Sequence, residues 1–561
     1  MGCLLLAALL AVTPVSAVQA KPKEPALGHA MVAAANPLAV QAGLAVLRRG
    51  GNAVDAAVAV QAMLGLVEPQ SSGVGGGAII MVHDAARGTN LAFIGREKAP
   101  AGATLDMFMG PGAKPLPHRE AMLTGRATGV PGAIAALWKA HSAAGRLPWN
   151  ELFGDAIRTA REGFKISPRL QEHIDGKFPQ AQAPDVKRYF SRPDGTPMRT
   201  GDLLRNPAYA ETLALISEKG PDAILTGRIA NDIAARTHDA PLPGTMTLQD
   251  LSSYQAEETP ALCRPYRIYV ICGAPPPASG VGLLELMGIL ERTDIGKLGP
   301  NDPQAWYLFA EASRLMYADR DHYVGDPNYV SVPVQGLLNS AYLAHRRALL
   351  GEHAAAQVSP GTPPNAPATG SDATNPPGGT SQLVVIDAQG NVVSMTTTVE
   401  SFFGSGRMVD GFFLNNQLTD FSSDPLDNGL PAANAVAGGK RPRSSMTPVL
   451  VFNKYGQFYG AIGSPGGTSI PAYVGKSLVG ILDWNLSVQS AVDLPNLIAR
   501  DPNIEGEVSR FSPDIVKGLA EKGIVLKQES GESSGLHGIF VKNGQLEGGA
   551  DSRREGAALQ P

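Results

Sequence analysis

Pro376-Pro377-Gly378-Gly379-Thr380-Ser381-Gln382-Leu383-Val384-Val385-Ile386-Asp387 is the stretch on which the reading of this 561-residue chain turns. A proline- and glycine-rich segment ends at Gly379. Thr380 then opens a run in which residues 383–386 read as a buried β-strand, closed by the turn Asp387-Ala388-Gln389-Gly390-Asn391. A second strand is expected over 392–399, with Thr396, Thr397 and Thr398 in a row. A threonine at the first position of a core strand, behind a cleavable loop, fits an N-terminal nucleophile. Its hydroxyl attacks, and the α-amino group freed by cutting Gly379–Thr380 takes the proton, since an α-amine titrates near about pH 8. Taken alone, a Gly-Thr step before a strand is more often an ordinary turn.

Composition limits the alternatives. The chain is 43% hydrophobic and 17% charged with a formal net charge of -4, so no basic surface for nucleic acid is expected. Leu4 to Val12 is a short apolar run, and Val18-Gln19-Ala20 offers a small-residue cleavage site. Residues 1–20 therefore read as a signal peptide, with the periplasm or the exterior as destination. No later stretch is long and apolar enough to span a membrane. Cys263 and Cys272 flank residues 264–271, which read as one strand; extended chain would hold them roughly 30 Å apart, so two free thiols are expected. No Cys/His cluster has metal-ligand spacing, and neither a metal nor a cofactor is implied.

Along the chain, helices are expected over 37–49 and 53–67, the second capped by Asn52. The glycine run Ser72-Gly73-Val74-Gly75-Gly76-Gly77 follows a helix and precedes a strand, the wrong context for a dinucleotide loop. Residues 129–350 are mostly helical. Residues 354–379 hold six prolines and one charged residue, Asp372, and read as a flexible linker. Strands dominate after Thr380. Strands and helices in both halves suit one layered sandwich assembled from two chain pieces.

Three segments resemble the small subunit of the γ-glutamyltranspeptidases (γ-glutamyltransferases). They are 380–422, ending Leu414-Asn415-Asn416-Gln417-Leu418-Thr419-Asp420-Phe421-Ser422; Lys440-Arg441-Pro442-Arg443-Ser444-Ser445-Met446-Thr447-Pro448; and Gly463-Ser464-Pro465-Gly466-Gly467. Ile94-Gly95-Arg96-Glu97-Lys98-Ala99-Pro100 and Pro275-Pro276-Pro277-Ala278-Ser279-Gly280 resemble the large subunit. The resemblance runs from about Pro25 to about Arg553. It implies an α+β fold, the four-layer αββα sandwich of the N-terminal-nucleophile hydrolases, with residues 21–379 as large subunit and 380–561 as small subunit after self-cleavage between Gly379 and Thr380.

The resemblance also implies roles. Thr380 is nucleophile and base, Thr398 hydrogen-bonds its hydroxyl or amine, and Gly466 and Gly467 supply N–H groups to the oxyanion. Arg96, Ser444 and Ser445 hold the substrate α-carboxylate; Gln417 and Asp420 take the α-ammonium. From the residues alone, Thr396 and Thr397 compete with Thr398. Glu400 joins the substrate-binding set near the ammonium site, where the family often has Asn, and Ser381 and Gln382 stand where Thr and His are common. Residues 423–433 are short and lack the tyrosine-bearing lid of many relatives. The expected activity is hydrolysis or transfer of γ-glutamyl amides such as glutathione, with water, an amino acid or a peptide as acceptor. The alternatives are a glutaryl-type cephalosporin acylase of the same fold and an unprocessed homologue that only binds.

Overall fold

The computed structural model describes residues 29–561 apart from 373, 375–377 and 530–532; the expected signal peptide, residues 1–20, lies outside the described residues. Thirteen strands carry the architecture: β1 Met31–Ala34, β2 Gly77–Asp84, β3 Thr89–Gly95, β4 Glu257–Pro260, β5 Leu262–Tyr266, β6 Tyr269–Gly273, β7 Thr380–Ile386, β8 Val392–Thr398, β9 Val449–Asn453, β10 Phe458–Gly463, β11 His537–Lys542, β12 Gln545–Ala550 and β13 Ala557–Leu559. One antiparallel sheet runs β13-β1-β7-β8-β2-β3-β4, and a second runs β12-β11-β10-β9-β6-β5.

Alternation along each strand divides its apolar residues between two cores. Leu383 and Val385 of β7 face a helical layer, whereas Val384 and Ile386 face the other sheet. Val449 and Val451 of β9 face a second helical layer, whereas Leu450 and Phe452 meet the first sheet. The period of two leaves no polar face on these strands, because both sides are covered. Helices α1 Pro37–Arg48, α2 Ala53–Val67 and α3 Ala133–Ala144 cover the first sheet, and α4 Gly280–Leu290, α5 Pro303–Tyr323 and α6 Ile470–Leu482 cover the second. The result is the αββα order. Asn52 caps α2 reciprocally with Asp55, as its position before an apolar run leads one to expect. Each large apolar side chain buried in these cores contributes about 1.5–3 kcal/mol.

Both sheets mix strands from before and after Gly379. In the first, β7 lies between β1 and β8, and β8 lies between β7 and β2. In the second, β9 pairs with β6. Two pieces made by a cut at residue 379 would therefore remain interleaved through their ladders.

Two expectations need correction. Cys263 and Cys272 are joined in a disulfide, with Cα atoms 4.0 Å apart. Residues 264–271 are not one strand: β5 and β6 form a hairpin in which Cys263 lies opposite Cys272. The chain folds back at Arg267, whose φ is +50°. The proline-rich segment likewise differs from a free linker. Residues 354–372 carry no helix or strand, yet they are fastened along their length. Ala354 N donates to Lys522 O (2.8 Å), Val358 N to Asp501 Oδ2 (2.8 Å) and Gly361 N to Asp319 Oδ1 (2.6 Å). Asp372, buried, pairs with Arg443 at 2.9 Å.

Candidate active site

Thr380 opens β7 and lies opposite Thr398, the last residue of β8. Thr380 Oγ1 donates to Thr398 Oγ1 at 3.2 Å. Thr398 Oγ1 donates in turn to Gly379 O (2.7 Å) and accepts from Glu400 N (2.8 Å). The other two threonines are engaged elsewhere: Thr396 Oγ1 donates to Gln382 Oε1 (2.6 Å) and Thr397 Oγ1 to Gly77 O (3.2 Å). Register thus separates three residues that composition leaves equivalent. The strand also puts the Thr380 hydroxyl in a network that touches the carbonyl of the preceding residue.

Gly379 is wedged in place. A Cβ on it would lie 2.5 Å from Glu400 O, 2.6 Å from Ser401 C and 2.8 Å from Phe402 N, all backbone atoms. Only glycine fits between the strand start and the turn after β8.

Arg96, Thr380, Thr398, Glu400, Gln417, Asp420, Ser444, Ser445 and Gly467 line one cavity of about 30 Å³. Gly466 lines a neighbouring cavity of about 720 Å³, and Thr468 lies on both. Gly466 and Gly467 both have positive φ (+128° and +55°), so the turn before α6 is one that glycine favours.

Arg96, at the end of β3, is buried and fixed by backbone acceptors: Nε donates to Pro442 O (3.1 Å) and Nη2 to Arg443 O (2.7 Å). Nη2 also donates to Asp420 Oδ2, and Gln417 Nε2 donates to the same oxygen at 2.6 Å. Ser444 accepts from Met446 N through Oγ (3.2 Å), and Ser445 Oγ accepts from Arg320 Nη2 (2.6 Å). Glu400 has φ +79° and accepts from Ser401 Oγ and Asn416 Nδ2. Asn415 ties the Gln417–Asp420 turn to Gly75 and Gly129, the supporting role its turn chemistry suggests.

Three side-chain oxygens on this cavity's residues, Glu400 Oε1, Gln417 Oε1 and Asp420 Oδ1, are buried, and Gln417 Oε1 is an acceptor without a hydrogen-bond partner, whereas the Glu400 and Asp420 carboxyls face each other. Unpaired acceptors cost free energy unless a donor arrives. The carboxyl of Glu400 is pushed well above the ordinary carboxylate range, by burial first and by Asp420 second. Glu97, beside Arg96, is pushed up to about 8; burial raises it, Arg96 partly opposes that, and Asp420 adds to it. One guanidinium therefore stands among three carboxyl groups, and the arrangement suits a ligand that brings its own cation together with an anion.

Sequence reading missed Arg320, which donates to Ser445 Oγ (2.6 Å) and to Ser279 Oγ (2.8 Å); Ser279 Oγ donates in turn to Ser444 O (2.7 Å). The signal of Arg320 is the run Asp319-Arg320-Asp321 inside the largely buried helix α5. Arg554 was missed as well; its Nη1 donates to Thr380 O at 3.0 Å. Among the described residues, no group of three or more His, Cys, Asp or Glu could hold a metal ion.

Residues 39–560 match the family described as gamma-glutamyltranspeptidase. A glutathione hydrolase proenzyme of Bacillus subtilis (strain 168) is 35% identical, over 94% of this chain and 91% of that protein. The glutathione hydrolase proenzyme of Escherichia coli (strain K12) is 34% identical, over 93% and 90%. Among solved structures, the cephalosporin acylase from Bacillus halodurans superposes with a TM-score of 0.84 at 28% identity, covering 98% of this chain and 99% of that one.

Proposed function

The chain belongs to the γ-glutamyltranspeptidase family, and on that premise we propose how its residues carry the reaction: it is a self-cleaving γ-glutamyl hydrolase and transferase, acting on glutathione and other γ-glutamyl amides through an ester on Thr380. In maturation, Thr380 Oγ1 attacks the Gly379 carbonyl, the acyl group moves from nitrogen to oxygen, and water resolves the ester. This leaves residues 21–379 and 380–561 as large and small subunits of one heterodimer. In turnover, the freed α-amine of Thr380 takes the hydroxyl proton as Oγ1 attacks the γ-amide carbonyl. The N–H groups of Gly466 and Gly467 receive the oxyanion, at roughly 3–4 kcal/mol each. The amine leaves, and water, an amino acid or a peptide takes the glutamyl group.

The observation that carries this reading is that one cavity brings the Arg96 guanidinium together with the Asp420 carboxylate and the unpartnered acceptor Gln417 Oε1. An ammonium has three donors and no acceptor, and a guanidinium fork matches a carboxylate. An α-amino acid head satisfies both. Ser444 and Ser445 complete the carboxylate side.

The likeness to a cephalosporin acylase favours a second reading, removal of a glutaryl-type group. A glutaryl group has no ammonium and leaves Asp420 and Gln417 Oε1 without a cation. Comparing kcat/KM on γ-glutamyl- and glutaryl-p-nitroanilide decides: the γ-glutamyl substrate should win, and a reversed preference moves the function to the acylase. The signal-like N-terminus and the Cys263–Cys272 disulfide support a periplasmic or secreted enzyme, because disulfides persist in oxidising compartments. No described helix is long and apolar enough to cross a membrane.

A further inference from the structure

The 720 Å³ cavity begins where the nucleophile's cavity ends. The two share Thr468, and Gly378, Ser401 and Gly466 line the larger one beside the scissile bond. One wall is aromatic. Phe178 and Phe402 both line it, half-buried, with ring centroids 5.3 Å apart, and the ring of His173 abuts Phe402 at 4.2 Å. The wall starts next to the chemistry, because Phe402 N lies 2.8 Å from where a Cβ on Gly379 would stand.

The facing side is charged, and much of that charge is paired. Arg314 pairs with Glu311 and Asp501, each at 2.6 Å. Asp321 is shared by Arg320 (2.5 Å) and Arg500 (2.7 Å). The cavity is thus amphipathic: His118 Nε2 and His322 Nδ1, also on its lining, are buried without a hydrogen-bond partner, and the partly exposed rings of Phe178 and Phe402 offer its aromatic contact surface beside the scissile bond. Amphipathic cavities of this size hold a group the size of an amino-acid side chain or a fused ring.

We propose that this cavity is the leaving-group and acceptor site, and that Phe178 and Phe402 select amines carrying an aromatic or large apolar group. The inference rests on the γ-glutamyl reading above and names the acceptor class for it. In the transfer step the amine nitrogen attacks the glutamyl ester carbon. The new C–N bond forms, the bond to Thr380 Oγ1 breaks, and the ammonium proton passes to Thr380. The amine's side chain lies against the two rings, which stack or meet edge-on with an aromatic partner.

The test is an internal competition on the processed two-chain enzyme. γ-Glutamyl methylamide serves as donor, with L-phenylalanine and glycine present at equal concentration, and γ-glutamyl-phenylalanine and γ-glutamyl-glycine are quantified by mass spectrometry. The product ratio does not depend on how much enzyme is folded. The wild type should favour phenylalanine, and Phe178→Ala should lower the ratio about tenfold, the size of one lost aromatic contact with its buried area. Phe402→Leu, which keeps apolar bulk, should lower it less and covers the case in which Phe178→Ala does not fold. A wild-type ratio near one, or a ratio unmoved in a folded variant, overturns the proposal. Release of neither glutamate nor any γ-glutamyl product by the wild type overturns the underlying γ-glutamyl reading instead.

Discussion

Arg96 donates through Nη2 to Asp420 Oδ2, so the two residues assigned to opposite ends of a zwitterionic head group are paired with each other. On the proposed function, a bound α-carboxylate should take over Arg96 and the α-ammonium Asp420, so that one internal pair becomes two external ones. Arg96→Ala should therefore weaken substrates with an α-carboxylate by about 2–5 kcal/mol in kcat/KM, because the anion then faces two serines without a cation. Descarboxy analogues should lose far less. Equal losses on both would make Arg96 structural.

The proposed maturation should depend on Gly379, which has no room beside it for a side chain. Thr380→Ala should remain a single chain without activity, and Thr380→Ser should process more slowly. Gly379→Ala meets only backbone atoms, at 2.5–2.8 Å, so the scissile carbonyl must shift away from the Thr380–Thr398 hydroxyl pair. Its processing should slow by at least about tenfold if the carbonyl is displaced by as little as an ångström. A time course on a denaturing gel measures this, and sequencing of the small chain should start at Thr380.

Glu97 makes stability depend on pH in a stated direction. Its ordinary value is 4.5 and its folded value is about 8, so the folded protein holds a proton that the unfolded chain releases between them. The stability associated with that proton is complete below about pH 4.5 and is lost as pH rises through about 8. Glu97→Gln, made in the single-chain Thr380→Ala background, should flatten the decline between pH 5 and 8.5, by on the order of a few kcal/mol. Urea unfolding at both pH values tests it; parallel slopes for the two proteins would show that Glu97 does not hold the proton. Glu400, raised in the same sense, leaves a residual slope.

The hairpin disulfide closes a short loop that its own ladder already closes. Reduction, or Cys263→Ser with Cys272→Ser, should cost at most about 2–3 kcal/mol and leave processing intact. Mass spectrometry under non-reducing, denaturing conditions should find the pair two hydrogens lighter than two thiols.

How far the sequence carries is visible in these elements. Leu383 to Ile386 and Val449 to Phe452 announce strands because their side chains must fill two cores alternately. The hairpin at Arg267 does not announce itself: its turn is Arg267-Ile268, without glycine, asparagine or proline. The turn is held by distant groups, with Arg267 N donating to Glu291 Oε1 (2.8 Å) and the guanidinium bonded to Asp483. Tertiary contacts replace the local signal. The roles of Arg320 and Arg554 were hidden for the same reason, since each acts on a partner more than a hundred residues away. Thr398 was legible as one of three candidates, and only the β7–β8 register selects it.

The last prediction concerns residues 423–433. They form a two-strand hairpin, Leu426–Asp427 against Leu430–Pro431, turned by Asn428 and Gly429 with φ +51° and +79°. Such a turn matches the strand twist and needs no cover from the rest of the protein. Leu426 and Leu430 are exposed, no aromatic residue is present, and none of the eleven residues lines the Thr380 cavity or its large neighbour. Nothing in this segment shields the glutamyl ester from solvent. Water should then intercept the ester often, so substantial hydrolysis should persist with glycylglycine present. Asp420 and the acceptor Gln417 Oε1 should meanwhile keep γ-glutamyl amides ahead of glutaryl amides, because a neutral acyl chain leaves them without a cation. Free glutamate measured against γ-glutamyl-dipeptide gives the partitioning. Nearly complete transfer at modest acceptor concentration would show that something other than this hairpin excludes water from the ester.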